Sequence, residues 1–150
     1  MQTVVEETNS RFRKRERMVS RKLIDTLFGT SPVRRGLLPG ETRGSQSMAA
    51  FPLRAIYINK ERAHGDAPVQ MLVSVPKKRF KHAVDRNRVK RQVREAFRLH
   101  KQLLYDALPD NEQLLLAFIW LSDNHHPSQF VESRVVSLMQ RVAEKVKGNS

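Results

Sequence analysis

A chain of 150 residues has single-domain length and can bury only a modest core. It carries 28 Lys and Arg against 15 Asp and Glu, a formal net charge of +13, and no Cys. That excludes a disulfide framework and thiolate chemistry and points to a polyanionic partner. The longest apolar run, Leu114 to Leu121, is far too short to span a bilayer, and the N-terminus has no apolar signal segment. A soluble cytoplasmic protein without a membrane partner is expected.

Residues 1–19 open polar and turn basic in Arg11-Phe12-Arg13-Lys14-Arg15-Glu16-Arg17. With too little apolar content to pack alone, they read as a flexible basic arm able to order on a nucleic acid. The remainder, 20–150, reads as one domain. Ser20 can cap a short helix through Phe28, where Leu23, Ile24, Leu27 and Phe28 form an apolar stripe and Gly29 is placed to end it. Three of the six glycines, with Pro32 and Pro39, fall between Thr30 and Ser47, so 30–47 reads as a long loop, and for Arg34, Arg35 and Arg43 solvation is the better reading than contact with a nucleic acid.

Met48 to Asn59 predicts a strand interrupted at Pro52, with Leu53, Ala55 and Tyr57 on one face. Tyr57 is then either a half-buried strand tyrosine or a platform on which a base can stack. A turn around Gly65-Asp66 leads into a second strand, in which Val69, Met71, Val73 and Val75 alternate toward a core.

The next stretch is the most informative. Lys77 to Lys101 holds eleven Lys or Arg against Asp85 and Glu95. From Val84 to Leu104 there is no Gly or Pro, which predicts an α-helix of roughly 30 Å. At about 100° per residue, Val89, Val93, Ala96, Phe97, Leu103 and Leu104 share one arc with His100, and that arc faces the core. Asn87, Arg88, Lys90, Arg91, Arg94, Arg98 and Lys101 cover the rest, with Arg86 at the border. A merely solvated face mixes its signs and gains i,i+4 pairs. Here only Glu95 is available, to Arg91 or Arg98, so a nucleic-acid face is the better reading.

Beyond the helix, Leu108-Pro109-Asp110-Asn111 makes a turn, Gln113 to Leu121 reads as an internal strand, and Ser128 to Val146 as an amphipathic helix covering the sheet. His125-His126 reads as a solvated loop pair without the carboxylate or Cys support that a metal needs. No spacing of acids suggests a general acid and base or a divalent-metal cluster, so neither catalytic residues nor a metal site are assigned.

Lys77-Lys78 followed by Ala83-Val84-x-Arg86-Asn87-Arg88-Val89-Lys90-Arg91-x-Val93-Arg94-Glu95-Ala96-Phe97 resembles the signature of the bacterial ribonuclease P protein component. The resemblance implies an α+β sandwich of ribosomal-protein-like type, with about four strands in a mixed sheet, three helices, and a left-handed crossover around the basic helix; general rules favour a right-handed one. Residues 30–47 look like an insertion relative to a typical member. In the family, the first helix walls a cleft whose aromatics face the single-stranded 5′ leader of precursor tRNA. Phe28 matches one of them, Tyr57 is a second candidate, and Ile24 stands where members often carry Phe.

The implied function is that of the non-catalytic protein subunit of an endoribonuclease. Lys77, Lys78, Arg86, Asn87, Arg88, Lys90, Arg91, Arg94 and Arg98 would contact the catalytic RNA. That RNA would hold the Mg²⁺ used in removing the leader, and the protein itself would bind no cofactor. A structural, ribosomal-type RNA-binding protein without a part in cleavage is the alternative. A DNA-binding regulator ranks lower, because one face of the basic helix must pack on its own sheet and no dimerising segment is evident.

Overall fold

The computed structural model describes residues 12–18, 24, 27, 45–63 and 65–148. Four strands form one mixed sheet: β1 (Gln46–Ala50), β2 (Leu53–Glu61), β3 (Val69–Ser74) and β4 (Glu112–Trp120), in the spatial order β1-β2-β4-β3. β1 and β2 are an antiparallel hairpin in register from Gln46↔Tyr57 to Ala50↔Leu53, turning at Phe51-Pro52 through a cis peptide bond. The single interrupted strand expected from Met48 is therefore two. Proline cannot donate to a ladder, so it sits at the turn and the chain reverses around it. β1 also takes Gln46 and Ser47 out of the expected loop 30–47, of which 30–44 lie outside the described residues.

β4 pairs antiparallel with β2 and parallel with β3, from Val69↔Leu114 to Ser74↔Ile119. As an inner strand buried on both faces, β4 is apolar without alternation. Leu114, Leu116, Phe118 and Trp120 join the main core beneath the helices, while Leu115 and Ala117 join a second cluster with Met18, Leu27 and Ile56. Of the helix expected over 20–28, Ile24 and Leu27 are described and are helical; Leu27 is buried, and Phe28 lies outside the described residues.

Beyond Ile24 and Leu27, three helices are described: α1 (Ala83–His100) and α2 (Gln102–Ala107) between β3 and β4, and α3 (Ser128–Gly148) after β4. Val89, Val93, Ala96 and Phe97 of α1 are buried, as the 3.6-residue period requires, against Val135, Leu138, Met139 and Val142 of α3 and the sheet. The helix expected to run unbroken to Leu104 instead ends at His100. A new turn starts at Lys101, whose carbonyl accepts from the N–H groups of Leu104 (3.0 Å) and Tyr105 (3.1 Å). No Gly or Pro marks this joint; it falls where the Lys101 side chain turns inward. Among the described residues, no helix is long and apolar enough to cross a membrane.

Candidate nucleic-acid interface

α1 is fastened from behind, along the face opposite its exposed cations. Gln92 Nε2 donates to the His126 carbonyl and to Ser128 Oγ, each at 3.0 Å, tying the helix to the start of α3. His125 stacks on Phe80 with ring centroids 4.5 Å apart, and its Nε2 lies 3.1 Å from Asp85 Oδ1 in the first turn of α1. His126 lies among Trp120, Phe130 and Phe51. Both histidines, expected as solvated loop residues, are structural ties instead. The ties of His125 are to Phe80 and Asp85, both distant in sequence, so local composition gives no signal for them.

The outer face carries the charge. Asn87, Arg91, Arg94 and Arg98 follow at i, i+4, i+7 and i+11, one line along the helix, flanked by Arg88 on one side and Lys90 on the other. Asn87, Arg88, Arg91 and Arg94 are exposed, as are Lys77 and Lys78 just before the helix. Lys77, Lys78, Arg88, Lys90, Arg91 and Arg94 form no ion pair among the described residues. Loss of water around the Arg94 guanidinium lowers its pKa, and the nearby Arg17 charge adds to the effect.

Four cations of the basic stretch are committed internally, the first being Arg79, whose Nη1 lies 3.3 Å from Asp123 Oδ1. Arg86 Nη1 donates to the carbonyls of Phe80 (2.9 Å) and Lys81 (2.8 Å), bracing the turn before α1. Arg98 pairs with Glu95; that hydrogen bond holds the Glu95 carboxyl below its usual range, burial opposes the shift, and the Arg98 charge reinforces it. Lys101, expected on the exposed face, is only 4% exposed and pairs with Glu16. Arg86 and Arg98 are thus supports of the face as well as members of it.

Tyr57 is not a platform. It is 3% exposed in the main core, burial raises its pKa, and its hydroxyl donates to Gln46 Oε1 at 2.9 Å. The period-2 alternation that puts it beside Leu53 and Ala55 points its ring at the helices, so no ring face is left for a base. Among the described residues, no group of three or more His, Cys, Asp or Glu is placed to hold a metal ion. What the face can do is neutralise phosphates: guanidinium forks match phosphate oxygens two at a time, and like charges held together in water are relieved when a polyanion docks.

An α+β body whose basic helix α1 presents a row of cations, most of them without an ion pair among the described residues, defines a class, that of small basic proteins suited to dock on a polyanion. The family model for ribonuclease P matches residues 42–141. The ribonuclease P protein component of Porphyromonas gingivalis is 37% identical over 139 residues, which cover 91% of this chain and 90% of the relative. That of Chlorobaculum tepidum is 47% identical over a shorter stretch of 58 residues, covering 35% of this chain and 38% of the relative. The chain belongs to the ribonuclease P protein family. Its fold is also that of the ribonuclease P proteins from Thermotoga maritima (TM-score 0.57, 19% identity, covering 84% of this chain and 96% of that one) and Staphylococcus aureus (TM-score 0.58, 16% identity, 85% and 94%).

Proposed function

We propose that this protein is the protein subunit of a ribonuclease P ribonucleoprotein, and that it docks through the outer face of α1 on the catalytic RNA and promotes removal of the 5′ leader from precursor tRNA. The observation that carries the docking is the row of cations on the outer face, exposed Arg88, Arg91 and Arg94 and half-buried Lys90 with exposed Lys77 and Lys78, without ion pairs among the described residues. Family membership supports the choice of RNA and of reaction.

On this reading the protein lowers the phosphate repulsion between two RNAs that must lie side by side. Each phosphate it neutralises releases counterions, so binding weakens steeply with salt. Mg²⁺ held by the catalytic RNA would supply the chemistry of hydrolysis, and the protein's cations would favour its retention by compacting the RNA around it. Leader contacts would come from groups other than the Tyr57 ring, which is enclosed. The proposed place of action is the cytoplasm.

The test is to add the purified protein to ribonuclease P RNA from the same organism and precursor tRNA at low Mg²⁺. Stimulated cleavage at the mature 5′ end is the expected result. Tight RNA binding with no stimulation would favour a purely structural RNA-binding role.

A further inference from the structure

Segment 12–18, which charge alone assigns to a mobile arm, is fixed to the body. Lys101 Nζ lies 2.9 Å from each Glu16 carboxylate oxygen, with the two side chains 5% and 1% exposed. The Tyr105 hydroxyl donates to Glu16 Oε2, and the Arg13 N–H donates to Oε1 at 2.6 Å. Tyr105 is accordingly held protonated, first by burial and then by its bond to Glu16. The carboxylate is thus satisfied on both oxygens, the condition under which a buried ion pair is tolerated. Two more ties extend the docking: Met18 N–H donates to the Met71 carbonyl at 3.2 Å, and Gln70 Nε2 donates to the Arg15 carbonyl at 3.2 Å.

With Glu16 turned inward, its neighbours Lys14, Arg15 and Arg17 are exposed. The Arg17 guanidinium lies 5.5 Å from the centroid of the Phe12 ring, and Phe12 packs edge-on against Phe97 of α1 at 5.7 Å. Arg94 and Lys90 lie one and two turns before Phe97, on the flank of α1 that faces this segment. Among the described residues, no carboxylate pairs with Arg17 or Arg94, since Glu16 is taken by Lys101 and Glu95 by Arg98.

We propose that Glu16 is a positioning residue for RNA binding: locked to Lys101 and Tyr105, it lays Arg17 beside Arg94 so that the two guanidinium groups take one backbone phosphate. The Lys14–Arg17 strip then continues the rail that begins on α1. This rests on the reading of the α1 face as the contact with the catalytic RNA.

The experiment titrates full-length variants against the ribonuclease P RNA across a range of salt concentrations. Arg17→Ala is expected to weaken binding roughly tenfold and to make the plot of log K against log salt shallower by about one, the signature of one lost phosphate. Combined with Arg94→Ala, it should lose less than the sum of the single losses, because both groups hold the same phosphate. Glu16→Gln should reproduce the Arg17→Ala loss with all the arginines still present. Glu16→Met with Lys101→Met, which keeps the segment docked by an apolar pair, should recover binding. An Arg17→Ala protein that binds with unchanged affinity and slope, while Arg88→Ala with Arg91→Ala lowers both, overturns this inference and leaves the proposed function standing. If neither variant changes the titration, both fall together.

Discussion

Arg91 and Lys101 belong to one basic run, yet they end in opposite environments. Arg91 stands in water on the outer line of α1, and Lys101 is drawn under the surface onto Glu16. The difference is not in side-chain chemistry or helix propensity, since both are long cations in a helix-forming stretch. It comes from a carboxylate 85 positions earlier in the chain that reaches Lys101, at the end of α1, and no cation of the outer line. One end of the run stays exposed to water, while the other secures the segment beside it.

Removing a charge from the two ends should therefore have unlike consequences. Lys101→Ala leaves the Glu16 carboxylate buried without its ammonium. It should cost roughly 3–5 kcal/mol in chemical unfolding, whereas Arg91→Ala should stay within about 0.5 kcal/mol of the parent. Equal stabilities for the two variants would erase the contrast.

Arg88→Ala with Arg91→Ala should show the reverse pattern. Stability should be unchanged, but affinity for the catalytic RNA should fall by roughly 10–100-fold and the salt slope should become shallower by about two. An unchanged titration would mean that the exposed end is simply solvated.

Tyr57→Phe sharpens the comparison in the sheet. Losing the hydrogen bond to Gln46 should cost about 1 kcal/mol, with stimulation of leader removal unaltered. A selective loss of activity at full stability would restore Tyr57 to the cleft.

The smallest effect concerns Glu95, whose folded-state pKa is depressed chiefly by its hydrogen bond to Arg98. A depressed carboxylate contributes stability above its unfolded pKa, about 4.3, and loses that contribution as pH falls through the lower folded value. The group is largely exposed, so solvent screens most of it. Arg98→Ala should slightly flatten the acid limb of the stability curve below about pH 4.5, read by thermal melts at stepped pH; identical limbs would show that the pair contributes nothing.

Much of the fold and of the basic face is visible in the sequence because both are written in local periods. Val89, Val93, Ala96 and Phe97 recur at helical spacing, and Val69, Met71 and Val73 alternate, so their buried sides follow from geometry alone. The hairpin was not readable in this way: Pro52 inside a strand pattern marks an interruption or a reversal, and nothing local decides between them. What local pattern cannot supply is the partner across the fold. Lys101, His125 and Tyr57 took their final surroundings from Glu16, Phe80 and Gln46, each brought near only by tertiary structure. A lone acid set among arginines at position 16 was the one clue that the segment had an internal appointment.

β3 closes one side of the sheet, and a strand in that position presents unpaired amides and carbonyls to any extended peptide that drifts by. Arg17 bridges to Met71 there in parallel fashion, and Met18 follows it. The docked stretch thus serves as a guard rail for the rim, bristling with positive charge on its outward side. A second molecule seeking to extend the sheet would find Met71 already engaged and meet its own repulsion, so weakening the Glu16 anchorage should also make the protein prone to self-association at high concentration.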